Sequence, residues 1–275
     1  MTKNLDNLGL KSVAENFDLF FVDIWGVLHN GISPFEDAIV ALNKLDEINK
    51  EYILLTNAPR PNFSVKNFLK KMGISENISS KVYTSGQASL DYLLKNLKEK
   101  IFFHIGPARD FDLFTSFKNK KANDISESEY ILCTGLFEDY IQDLNYYKKI
   151  LNNEINKKMI CTNPDLIVDK GEIREYCAGS VAKIFEDLGG IVEYFGKPYL
   201  NVYGQSAKKI DNKKVLCIGD NLNTDIRGAN MQNFSSLLIC NGIHRAELLK
   251  KKQNDLFKEY DVNVDYIQKN LNGMN

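Results

Sequence analysis

Short apolar runs that stop at small polar or acidic residues recur along the chain. Each is followed by a stretch whose apolar positions return at helical spacing. The first run, Phe20-Phe21-Val22, ends at Asp23, and Gly26 and Gly31 then break the pattern. That pattern predicts a buried strand that delivers a carboxylate to a sheet edge and turns sharply. Pro34 is placed to open a helix whose apolar face is Phe35, Ile39, Leu42, Leu45 and Ile48. Tyr52 to Asn57 reads as a second strand, ending in Thr56-Asn57, and Pro59 and Pro61 exclude its continuation. Val65, Phe68, Leu69 and Met72 mark another helix, closed by Gly73, with a short strand near Lys81 to Tyr83. Strand and helix alternating in this order predict a parallel sheet with helices on its faces.

A second unit is predicted from Thr84-Ser85-Gly86 onward. It opens with a helix carrying Leu90, Leu93, Leu94 and Leu97. Strands follow at Ile101 to Gly106, Tyr130 to Cys133 and Met159 to Cys161, with a helix on Tyr140, Leu144 and Tyr147 before the last of them. A helix on Val181, Ile184, Phe185 and Leu188 stops at Gly189-Gly190. The first pattern then resumes with a strand at Ile191 to Phe195, Gly196-Lys197-Pro198, and a strand at Lys214 to Ile218. Gly219-Asp220-Asn221-Leu222-Asn223-Thr224-Asp225 follows, and Ser236 to Cys240 closes the series. Residues 1–17 read as a short leading helix, and the tail as a short helix after His244 with a polar docking segment.

Composition narrows the function classes. The 275 residues are 44% hydrophobic and 26% charged, enough for one large or two modest cores. Lys and Arg number 35 against 36 Asp and Glu, and without a long basic block nucleic acid is not expected as a partner. No run approaches the apolar length of a membrane span, and Met1-Thr2-Lys3-Asn4 leads into polar sequence, so a cytoplasmic location is expected. The five cysteines are widely spaced without a CxxC pair, and read as small buried hydrophobes.

The ends of parallel strands gather at one edge of a sheet, so residues far apart in sequence can meet there. Asp23, Thr56-Asn57, Lys197, and Asp220 with Asp225 each lie just past an apolar strand. Two carboxylates from separate strand ends can hold a hard divalent cation such as magnesium. A hydroxyl, an amide and an ammonium can surround phosphoryl oxygens and neutralise charge during transfer. Asp23 would then be the nucleophile. Asn163-Pro164-Asp165 is the one turn of the middle block that sets two polar side chains directly after a strand.

With these motifs the chain resembles the haloacid dehalogenase-like hydrolases. More narrowly it resembles their class IIA, the sugar-phosphate, para-nitrophenyl-phosphate and pyridoxal-phosphate phosphatases. Asp23 matches the nucleophile, Thr56 with Asn57 the second motif, Lys197 the third, and Asp220 with Asp225 the fourth. Asn163-Pro164-Asp165 resembles a signature of the class IIA cap. The resemblance implies a Rossmann-like α/β core, discontinuous over 1–83 and 191–275, with a class IIA α/β cap domain inserted at 84–190. It implies magnesium held by Asp23, Asp220 and the main-chain carbonyl of Trp25, with Asp225 in support. It also implies a small phosphorylated metabolite as substrate. The cap signature, Asn163 with Asp165, is a candidate for substrate binding, as are Trp25 and Arg60.

One position departs from the pattern. The family's phosphatases carry a general acid/base aspartate two residues beyond the nucleophile, where this chain has Trp25. General acid–base catalysis contributes roughly 10²–10⁴-fold, so turnover would be weakened by about that much. His29 is the one nearby titratable side chain that could substitute. Three functions remain open: a phosphohydrolase working through an aspartyl-phosphate, a phosphate-binding or regulatory protein without turnover, and an enzyme acting on a carbon–halogen or phosphorus–carbon bond. Substrate identity and oligomeric state are not legible in the sequence.

Overall fold

The computed structural model describes residues 2–170, 173–207 and 210–273. The first strands in chain order are β1 (Lys3–Asn4), β2 (Leu19–Val22), β3 (Glu51–Thr56) and β4 (Val82–Thr84). An inserted group follows: β5 (Phe102–Ile105), β6 (Tyr130–Cys133), β7 (Lys158–Cys161), β8 (Ile167–Lys170), β9 (Ile173–Tyr176) and β10 (Ile191–Tyr194). The chain closes with β11 (Val215–Gly219), β12 (Ser235–Ile239) and β13 (Tyr266–Gln268). Two compact units result, one of residues 1–56, 66–83 and 203–275, the other of 57–65 and 84–202.

The first unit is built on a parallel sheet in the order β1-β13-β12-β11-β2-β3-β4. Strand β2 is fully buried because β3 and β11 pair with it on either side and both sheet faces are covered. This is why its sequence is a continuous apolar run rather than an alternation. The helix Glu36–Glu47 turns Ala38, Ala41, Leu42 and Leu45 inward, so the expected stripe on Leu42 and Leu45 is its buried face. The chain steps from β2 to β3 to β4 in one direction and from β11 to β12 to β13 in the other. The strand order therefore reverses between β2 and β11, the place where open α/β sheets leave a crevice beyond their carboxyl ends.

The ends of the chain differ from expectation. Residues 3–4 are not helical but form β1 beside β13, and the leading helix is a single turn, Lys11–Ala14. The tail, read as a docking segment, contributes a strand: Ile267 lies in β13, pairs with Leu238 of β12 and is buried. Both strands are only two or three residues long, too short to carry a period of their own.

The second unit has its own sheet, β10-β7-β6-β5, parallel in every pair. Its helices Leu144–Leu151 and Ala178–Asp187 share a core with the sheet through Ile131, Cys133, Tyr147, Met159, Cys161, Val181 and Phe185. The opening helix runs Ser85–Asn96, and its first turn is capped by Thr84, whose hydroxyl accepts the Gln87 N–H at 2.8 Å. The segment between β5 and β6 folds into three 3₁₀ turns, Ala108–Leu113, Thr115–Lys120 and Ile125–Glu127. Strands β8 and β9 form an antiparallel ribbon between β7 and the helix Ala178–Asp187, which the sequence pattern did not reveal. The architecture is thus an α/β parallel core sheet with an α/β region inserted between core strands β4 and β11. No described helix is long and apolar enough to cross a membrane. All five cysteines are free thiols, four of them buried, as small core residues would be.

Leu216 is fully buried in β11 between β2 and β12, so Leu216→Ala leaves a cavity at the centre of the first unit. The expected loss is about 2–5 kcal/mol. Urea unfolding followed by the fluorescence of Trp25, the chain's single tryptophan, measures it in that unit.

Candidate functional site

The reversal of strand order sets Asp23 and Asp220 side by side, because β2 and β11 are paired up to Val22 and Ile218. The Asp23 N–H continues the ladder by donating to the Ile218 carbonyl at 2.8 Å. Asp225 joins them from the π-helical turn Leu222–Ile226, which starts directly beyond β11. Such turns are rare and are frequent at functional sites. The three aspartates are 8%, 6% and 3% exposed in that order, and each offers an oxygen within 4.8 Å of the others. Three buried carboxylates at this spacing repel one another unless positive charge or protons lie among them. An all-oxygen donor set suits a hard divalent cation of the magnesium or calcium type. The residues present fit such an ion, and Asp23, Asp220 and Asp225 would hold it.

Backbone donors and glycines fix this cluster. Asp220 Oδ2 accepts the Ile243 N–H at 2.8 Å, and Asp225 Oδ2 accepts the Asn221 N–H at 3.1 Å. Gly26 has φ +80°, and a Cβ there would lie 2.2 Å from Asp220 Oδ2. A Cβ at Gly242 would lie 2.1 Å from the same atom. Any side chain at either position would push the carboxylate out of place. Gly242, in the Asn241-Gly242 turn after β12, was legible only as a loop signal, since nothing in its sequence neighbourhood names Asp220 as its contact.

The turn after Asp23 carries Trp25 and His29. His29 is 1% exposed, and its ring meets Trp25 and Phe68 edge-to-face at centroid distances of 5.1 and 5.6 Å. Its Nδ1 accepts the Gly31 N–H at 2.9 Å, which leaves the proton of the neutral ring on Nε2. Burial pushes the imidazole down to about 4. The Trp25 ring packs over Gly31, where a Cβ would meet it at 2.6 Å. Thr56 ends β3 and is buried.

The other candidates group in the second unit. Asn57 is buried and bonds to both Lys197 and Asp165. Asn163 Oδ1 accepts the Asp165 N–H at 3.0 Å and so shapes the turn beyond β7. Arg60 is engaged by Asp112, with Nε and Nη2 at 3.0 and 2.6 Å from Oδ2, an oxygen that also accepts the Ser64 hydroxyl. Asp112 was not a sequence candidate, since it lies in a 3₁₀ turn that no periodicity announces. Of the remaining histidines, His104 bonds Thr134 at 2.8 Å and His244 bonds Glu247 at 2.6 Å, both consistent with roles in packing.

Comparison with known proteins agrees with this geometry. A family model described as haloacid dehalogenase-like hydrolase matches residues 20–118, and a second, HAD-hydrolase-like, matches residues 194–271. The 4-nitrophenylphosphatase of Schizosaccharomyces pombe is 24% identical over 92% of this chain and 93% of its own length. An acid sugar phosphatase of Staphylococcus haemolyticus is 21% identical over 93% of this chain and 98% of its own. Among solved structures, a haloacid dehalogenase-like hydrolase from Brucella suis superposes with a TM-score of 0.81 at 28% identity, covering 96% of this chain and 98% of its own. Both family models bracket the aspartates of the cluster, Asp23 in the first and Asp220 with Asp225 in the second, and the chain belongs to the haloacid dehalogenase-like hydrolase superfamily.

Proposed function

We propose that the protein is a magnesium-dependent phosphohydrolase of small phosphorylated metabolites, of class IIA. The observation that carries this is the buried cluster of Asp23, Asp220 and Asp225 at the reversal of strand order. The phosphatase names of the two relatives support the substrate class. Asp23 is the nucleophile: its carboxylate attacks phosphorus, the ester oxygen departs, and water later hydrolyses the resulting aspartyl-phosphate. A bound magnesium ion would supply charge neutralisation of the attacking and leaving oxygens. Thr56 and Lys197 are assigned to the phosphoryl oxygens, as the matching second and third motifs imply, and 84–190 to the class IIA cap.

Trp25 sets the limits of this activity. An indole neither protonates a leaving oxygen nor activates water, so esters with stable leaving groups, such as aryl phosphates, are favoured. His29 does not replace the missing acid in this account. Its Nδ1 is used by the Gly31 N–H and its ring is enclosed by Trp25 and Phe68. It holds the turn that carries Trp25. A second reading, a phosphate-binding protein without turnover, rests on the same indole and parts from the first in the rate measurements below.

Two measurements test this reading. Magnesium binding measured by calorimetry falls at least tenfold, on the order of 1.4 kcal/mol or more, in Asp220→Ala; unchanged affinity would contradict the assignment. Across aryl phosphates spanning several pKa units of leaving group, wild-type kcat/KM rises steeply as the leaving group becomes more acidic. Trp25→Asp raises turnover and flattens the dependence, while folding is checked, since loss of a packed tryptophan costs about 3–5 kcal/mol. His29→Ala changes stability more than the slope. Wild type without turnover on any ester in the series would favour the binding protein instead.

A further inference from the structure

Asn57 is assigned by its motif to the phosphoryl group, but its side-chain donors are already spent. One Nδ2 hydrogen bonds the Asp165 carboxylate at 3.0 Å and the other bonds the Lys197 carbonyl at 3.0 Å. Asn57 Oδ1 in turn accepts the Lys197 N–H at 2.7 Å. A side-chain amide has two N–H donors, so Asn57 cannot offer one to a phosphoryl oxygen without giving up a bond it already makes. What it does is grip the main chain of Lys197 on both sides, as a neighbouring strand would.

Asp165 decides which way that grip faces. A carboxylate only accepts, so it draws Nδ2 toward itself. The opposite atom, Oδ1, is then held toward the Lys197 N–H. With the amide reversed, Oδ1 would face a carboxylate and a carbonyl, and Nδ2 would face an N–H, so all three bonds would be lost. The loop is shaped to receive the amide. Gly196 has φ +125°, and a Cβ there would stand 2.5 Å from Asn57 Oδ1 and 2.8 Å from the Pro164 ring. Asp165 is itself set by the Asn163 side chain through its N–H, and by the Gly179 N–H, which donates to the Asp165 carbonyl at 3.1 Å. The loops after β7 and β10 leave adjacent strands, with Cys161 opposite Tyr194. Asn57 thus ties residues 108 and 140 positions away into one unit.

We propose that Asp165 is a positioning residue that acts through Asn57: it fixes the amide orientation, and the amide fixes the main chain that presents the Lys197 ammonium. Asp165 therefore sets catalytic rate rather than substrate choice. The rate argument rests on the phosphohydrolase reading, since it needs Lys197 to serve the phosphoryl group. The clamp itself does not.

The full-length protein tests both. Hydrogen exchange of the peptide spanning 195–199 is followed in wild type, Asp165→Ala, Asp165→Asn, Asn57→Ala and the double variant Asp165→Ala/Asn57→Ala, with folding confirmed by circular dichroism. The Lys197 N–H reports the clamp directly, whether or not the protein turns over any ester. Protection there falls in Asp165→Ala and Asn57→Ala alike, and Asp165→Asn, which keeps an acceptor oxygen, retains it. Kinetics on para-nitrophenyl phosphate and on a sugar phosphate follow the same order. In Asp165→Ala kcat drops by about 10²-fold on both, as a misplacement of roughly an ångström would cost, with little change in KM. The double variant is no worse than Asn57→Ala, because two residues in one chain of contacts are not additive. Unchanged protection in Asp165→Ala would overturn the clamp. The positioning role would be overturned by a rise in KM confined to one substrate or equal kinetic loss in Asp165→Asn, which mark direct recognition of substrate by charge. Additive losses in the double variant would overturn it too, since they mark an action independent of Asn57. Wild type without turnover on either ester would sink the phosphohydrolase reading, while the exchange result would still decide the clamp.

Discussion

The repulsion among three buried carboxylates is the constraint around which the first unit is arranged. Asp23, Asp220 and Asp225 come from two strand ends and one π-helical turn, and nothing in their own chemistry favours gathering them out of water. The sheet imposes it. Because the strand order turns back between β2 and β11, those two strands are neighbours, and whatever follows each of them is held a few ångströms apart. Apolar burial along Phe20, Val22, Leu216 and Ile218 stabilises that neighbourhood, so the core supplies what the charged cluster costs. A site made this way is suited to a cation, and the hydrolase superfamily to which the chain belongs is consistent with that use.

Much of this was legible because it is local. An apolar run ending in Asp23 names both the strand and the rim position in one stretch, and Gly219-Asp220 with Asp225 does so again. Helical spacing on Leu42 and Leu45, or on Val181 and Phe185, marks the buried faces found in the structure. The misses share a cause. Strands β1 and β13 are too brief for a pattern to form, and each is a strand through its sheet neighbours, β1 beside β13 and β13 between β1 and β12. The 3₁₀ turns from Ala108 onward have no apolar period to read. Contacts such as Gly242 with Asp220, Arg60 with Asp112 and Asn57 with Asp165 join residues 22, 52 and 108 positions apart and leave no trace in spacing.

His29 and Asn57 show how residue type and role can part. Each is the chemically expected species at the expected place, a titratable ring near the nucleophile and an amide after a strand. Yet each holds main chain: His29 Nδ1 accepts the Gly31 N–H, and Asn57 bonds both polar groups of Lys197 while its remaining bond goes to the Asp165 carboxylate. In the proposed enzyme the groups left for chemistry are Asp23, Thr56 and Lys197, with Trp25 where an acid/base would stand. In that proposal phosphate would leave Asp23 slowly, because no side chain is assigned to activate water.

The proposed covalent step on Asp23 is the central claim, and slow hydrolysis of the phosphoenzyme would make it directly observable. The protein is mixed with magnesium and para-nitrophenyl phosphate, reduced with borohydride, and digested for mass spectrometry. An acyl-phosphate at Asp23 is converted by the reduction to homoserine, so the peptide containing residue 23 is predicted to carry that change, and Asp23→Asn to carry none. An unmodified Asp23 under conditions where para-nitrophenol is released, or homoserine at another aspartate, would contradict the account.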